Sequence, residues 1–102
     1  MTDTRFDYHY FLEPIQSTDL EEVKRKDISY GASWKKRGGT GAFHMLARKW
    51  DRLEEMLKTR NYDILIKQDV SGGDGTILAE IRDLRRYLLL VEAEILQRHD
   101  ER

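Results

Sequence analysis

Cysteine is missing from the sequence, which removes disulfides and thiolate metal sites from consideration. Long apolar runs are missing too. The longest is Leu88 to Val91, far short of the roughly 20 residues that a membrane-crossing helix needs, and no secretory leader is expected. Neither sign of charge dominates, since 18 Lys and Arg stand against 19 Asp and Glu for a net charge of −1. That balance argues against an extended nucleic-acid surface, because a protein that coats duplex DNA does so through a broad positive face. With 102 residues, 39% hydrophobic and 36% charged, the chain has room for one domain with a small core, which association between chains would help to complete. A soluble, cytoplasmic protein is expected, in the host cytoplasm if it is phage-encoded.

Hydrophobic spacing indicates an all-α fold, a small bundle of three main helices behind an extended N-terminal arm. Phe6, Tyr8, Tyr10 and Leu12 recur at every second position before Pro14, so residues 1–16 read as an extended arm with one packed face and 17–102 as the helical core of a single domain. Thr18 followed by Glu21 has the spacing of a capping box, and a first helix over about 19–28 would bury Leu20, Val23 and Ile28. The second helix should start at Thr40 to Ala42 and end near Thr59, its apolar stripe formed by Phe43, Leu46, Ala47, Trp50, Leu53 and Leu57. Residues 61–70 fit either a helical turn or a short extended piece, and the SGGDG run at 71–75 is a flexible connection. A third helix follows from Ile77 to about Gln97. It carries Leu78, Leu89, Leu90 and Leu96 away from its main stripe, more apolar surface than one partner covers, which points to a homo-oligomer built through this helix or to a broad internal packing face.

Chemistry concentrates in YGASWKKRGGTGAF, residues 30–43. Gly38, Gly39 and Gly41 leave room for a ligand near the unpaired amides that open the second helix. Lys35, Lys36 and Arg37 add positive charge, and Trp34 or Tyr30 offers a ring for stacking. These features favour a phosphate-bearing ligand, although the run is neither a Walker loop nor a GxGxxG fingerprint and a solvated linker has the same composition. A second constellation is acidic. Asp51 and Glu54 are three residues apart, as are Glu80 and Asp83, and at ~100° per residue Glu54 and Glu80 fall at or within the apolar stripes of their helices. Buried carboxylates need partners. Two arrangements satisfy them: four oxygen donors around Mg²⁺, or ion pairs with the interleaved Arg48, Arg52, Arg82, Arg85 and Arg86. His44, one or two turns from Asp51 and Glu55, reads as ligand-facing or, in the plainer view, as a surface hydrogen bonder; His9, His99 and the serines show no zinc-ligand or nucleophile spacing.

The stretches YGASWKKRGGTGAFHMLARKWDRLEEML and EIRDLRRYLLLVEAE together resemble the small helical phage and bacterial proteins of the nucleotide modification associated domain family. That family is similar to the all-helical nucleotide pyrophosphatases of the MazG and dUTPase type, whose acidic pattern is ExxE, a spacer, then ExxD. Asp51, Glu54, Glu80 and Asp83 stand at the matching positions, and the resemblance implies a metal site on Glu54, Glu80 and Asp83, holding Mg²⁺, with Lys49 and Arg52 beside the bound nucleotide. Asp51 departs from the expected glutamate, and Arg48, Lys49 and Arg52 crowd the acids. By analogy with small phage proteins that sequester nucleotide immune signals, these departures favour capture of a phosphate-bearing nucleotide, with Thr40 and the glycine run among its contacts. The alternative is a Mg²⁺-dependent nucleoside triphosphate pyrophosphohydrolase. A purely structural role, presenting the aromatic arm and leucine-rich helix to a host protein, is a third possibility.

Overall fold

The computed structural model describes residues 8–30, 32–71 and 73–101, the side chains of 26–30 excepted. Among these residues the chain is all-helical, with three long helices and no strand. It divides into two compact units, Met1–Gly31 and Ala32–Arg102.

The first unit is built on α1, Tyr8–Tyr30. Residues 8–16 are therefore helical and not an extended arm, and the Thr18–Glu21 capping box lies inside a helix already under way. The alternation of Tyr8, Tyr10 and Leu12 concealed a second period: Tyr8, Phe11, Leu12 and Ile15 are three and four apart, and in α1 they share one side. Pro14 sits inside the helix. Its missing N–H leaves the Tyr10 carbonyl without an intrahelical donor, a defect that costs about 3 kcal/mol in a helix interior. Leu20, expected in the core, is exposed, and Val23 is half-buried; the side chain of Ile28 and residues 1–7, Phe6 included, lie outside the described residues.

The second unit contains a 3₁₀ turn, Ser33–Lys35, then α2, Gly38–Lys58, and α3, Ile77–Arg98. Helix α2 starts two to four residues before the expected Thr40 to Ala42, and the other three ends fall within a residue of expectation, because the apolar positions recur at the helical period over about four turns or more. Gly38 opens α2 with a φ of +76°, a left-handed conformation that glycine adopts without the clash a Cβ would introduce. At the other end Asn61 and Tyr62 are both left-handed, and the Tyr62 N–H bonds back to the Leu57 carbonyl at 2.9 Å, which closes the helix as in a Schellman motif. Residues 61–70 then form turns and irregular chain rather than helix or strand. Helix α3 has a proper cap: the Thr76 hydroxyl accepts from the Ala79 N–H at 3.1 Å, a contact worth about 1 kcal/mol.

Helices α2 and α3 run antiparallel. Lys49 bonds Asp83 and, three residues further along α2, Arg52 bonds Glu80 three residues earlier on α3. Leu53, Leu57 and Ile77 form the core, with Met56 and Ile81 packed against it. This seam lies about a quarter turn from the centre of the expected stripe, so Phe43 and Trp50, read as core from their spacing, stand 65% and 54% exposed. Apart from Ala42 near the start of α2, the buried apolar side chains among the described residues of this unit lie where α2 ends and α3 begins.

Candidate functional site

The acidic constellation resolves into cross-helix ion pairs. Glu80 is buried, and its Oε1 accepts from the Arg52 guanidinium at 2.8 Å. The ammonium of Lys49 reaches Asp83 Oδ2 at 2.5 Å and lies 5.4 Å from the Tyr87 ring. Lys49 and Arg52, expected beside a nucleotide, thus hold α3 instead. Asp51 and Glu54 are exposed. They fall on the far side of α2 from the face carrying Lys49, Arg52, Leu53 and Met56, and Glu54 is not within the buried seam as its spacing suggested. Among the described residues no three Asp, Glu or His side chains gather as a metal ion's ligands would. The quartet of Asp51, Glu54, Glu80 and Asp83, and with it the expected Mg²⁺ site on Glu54, Glu80 and Asp83, does not assemble: the helix register commits half of the acids to cations and turns the other half to solvent. The second carboxylate oxygen of Glu80 is buried without a hydrogen-bond partner, so the pair is held in place by register and not by full satisfaction of its acid.

The glycine-rich segment divides between two sides of α2. On one side, Lys35 and Gly38 and Gly39 border a cavity of about 280 Å³ whose apolar walls come from Trp34, Phe43, Leu46, Val91 and Ile95. Lys35 is committed there. Its ammonium bonds Glu94 Oε1, while Arg98 bonds Glu94 Oε2 at 2.8 Å, so one carboxylate clasps the 3₁₀ turn to the last turns of α3. The hydrogen bonds from Lys35 and then from Arg98 hold the Glu94 carboxyl below the ordinary glutamate value. A depressed acid stabilises the folded state above its unfolded pKa, and that contribution is lost as the pH falls through the folded one. In a carbon-detected titration Glu94 is therefore expected to protonate below the free-glutamate value of about 4.3, with Lys35→Met moving its midpoint upward. A midpoint at or above the free value would contradict the clasp.

On the other side of α2 lies an open groove of about 480 Å³. It is lined by Ser33, Trp34, Gly41 and Met45 together with the basic side chains Arg37, His44 and Arg48. Positions 37, 41, 44 and 48 are spaced at four, three and four, so one face of the helix delivers them. Gly41 is required for the closeness of this packing: a Cβ there would stand 2.6 Å from the Arg37 Cβ. No carboxylate lines the groove. Arg37 and Arg48 form no ion pair or side-chain hydrogen bond among the described residues, in contrast to Lys35, Lys49 and Arg52.

Of the residues expected to touch a ligand, the groove brings together Trp34, Arg37 and Gly41. Lys35, Gly38 and Gly39 belong to the apolar cavity, Lys36 and Thr40 are exposed and line neither, and the side chain of Tyr30 lies outside the described residues. His44 and Arg48 were missed: Arg48 had been matched to the acids and His44 to the surface, although the four-three-four spacing from Arg37 was present in the sequence. No helix among the described residues is long and apolar enough to cross a membrane. No family model, curated protein or solved structure matches the chain.

Proposed function

We propose that the protein captures a phosphate-bearing nucleotide in the groove along α2 and retains it without cleavage. The observation that carries this reading is the pair of uncommitted guanidiniums, Arg37 and Arg48, on a wall free of carboxylates and beside the Trp34 ring. Guanidinium forks match phosphate oxygens two at a time, and an indole face stacks on any base. A Mg²⁺-dependent pyrophosphohydrolase would need Asp51, Glu54, Glu80 and Asp83 around one cation. Their separation supports sequestration instead, in keeping with the counter-defence role that the family resemblance suggests. Leu88, Leu89, Ile95 and Leu96 all stand exposed on α3, which supports assembly of copies through that helix.

Mass spectrometry of small molecules released by heating the purified protein, followed by calorimetry against nucleotides with each base, tests the reading. An intact nucleotide is expected, with saturable binding of about one per groove and a light-scattering mass above that of one chain. Absence of any bound or titratable nucleotide would remove the capture function; release of monophosphate from a triphosphate in the presence of Mg²⁺ would replace it with catalysis.

A further inference from the structure

Resting on the capture reading, we infer that the groove's ligand is a short phosphorylated oligonucleotide, a dinucleotide carrying two separate phosphate groups, and not a mononucleotide. Arg37 immediately precedes α2 and Arg48 lies eleven residues on, which places their backbones ~16 Å apart along the axis at ~1.5 Å per residue. One phosphate could engage both guanidiniums only if each side chain stretched along the helix toward the other. Two phosphates separated by a nucleoside lessen that stretch, since each guanidinium need reach only the nearer one.

What lies between the cations supports this division. Between the two positions the groove is lined by uncharged Gly41 and Met45 and, as the one titratable side chain among the described residues, by His44, while Trp34 lies three residues before Arg37. The sequence of surfaces is cation, a stretch without acid, then cation, which follows the order phosphate, nucleoside, phosphate. The same face also sets a length limit. Asp51 is exposed three residues beyond Arg48, so a strand continuing past Arg48 meets a carboxylate that repels its next phosphate.

Calorimetry at one fixed salt concentration, with adenosine monophosphate, adenosine triphosphate, a 5′-phosphorylated dinucleotide and a 5′-phosphorylated hexanucleotide, tests the inference; the dinucleotide and monophosphate arms are repeated with the other bases. The dinucleotide should bind at least about tenfold more tightly than either mononucleotide, the worth of one additional charge-assisted contact. The hexanucleotide should bind no more tightly than the dinucleotide. Arg48→Gln should weaken the dinucleotide about tenfold and the monophosphate by less, on the same one-contact arithmetic. A monophosphate or triphosphate as tight as the dinucleotide would overturn the two-phosphate assignment while leaving capture intact, as would an equal loss for both ligands in Arg48→Gln. A hexanucleotide that binds more tightly would overturn the length limit. Failure of all four would remove the capture reading itself.

Discussion

Replacing Arg37 and Arg48 together by glutamine is expected to weaken nucleotide capture about a hundredfold, because each removes a charge-assisted contact worth roughly tenfold in affinity. The fold should not change. Neither arginine is tied to an acid among the described residues, both are exposed, and although Arg37 is the N-cap of α2 its side chain makes no capping hydrogen bond, so each substitution should alter stability by less than about 0.5 kcal/mol. That combination separates these two cations from the others in the same stretch of chain. Arg52→Gln would strand the buried Glu80 carboxylate, and Lys35→Met would open the Glu94 clasp, so both should lower thermal stability before they affect any ligand. Binding is measured by calorimetry and folding by thermal circular dichroism on the same preparations. If Arg37→Gln with Arg48→Gln binds within threefold of the parent while Lys35→Met abolishes binding, the ligand occupies the apolar cavity and the groove is not the site.

The contrast also shows what the sequence could and could not reveal. Ile77 to Ile95 and Phe43 to Leu57 keep the helical period long enough that no other element fits, and α2 and α3 were legible to within a residue at every end but the start of α2. Residues 8–15 satisfy the periods of strand and helix alike, and Pro14 and Thr18 resemble boundaries, so the start of α1 was not legible. Residue types suggested an anion-binding segment, and Trp34, Arg37 and Gly41 are the residues of that segment that line the groove. Which cations remain free is a different matter. Lys35, Lys49 and Arg52 are as basic as Arg37 and Arg48; they differ only in having Glu94, Asp83 and Glu80 opposite them on α3. That depends on helix register, a long-range property that local spacing does not carry. The same register selects the buried side of α2, favouring Ala42, Leu53 and Leu57 over the larger Phe43 and Trp50.

Because the core of the second unit is so small, Leu53→Ala is expected to have the largest effect on stability of any single substitution in α2. Leu53 is 3% exposed and packs with Leu57 and Ile77, with Met56 and Ile81 around them. Truncating a buried leucine costs about 2–5 kcal/mol, a transfer loss plus the cavity left behind. In a unit of this size each kcal/mol lowers the melting temperature by roughly 4–8 °C, so a fall of about 8–40 °C is expected on the same scale, and at physiological temperature much of the population would lose the α2–α3 pairing. Phe43→Ala and Trp50→Ala, which remove larger side chains from exposed positions, should each cost less in dilute protein. Thermal melts at two protein concentrations distinguish packing within the chain from association. The Leu53→Ala deficit should be the same at both, whereas any deficit in Trp50→Ala that disappears on dilution reports a ring covered by another copy, since association stabilises by mass action. A Leu53→Ala protein that melts within 3 °C of its parent would place the core elsewhere and, with it, the helix register that leaves Arg37 and Arg48 free.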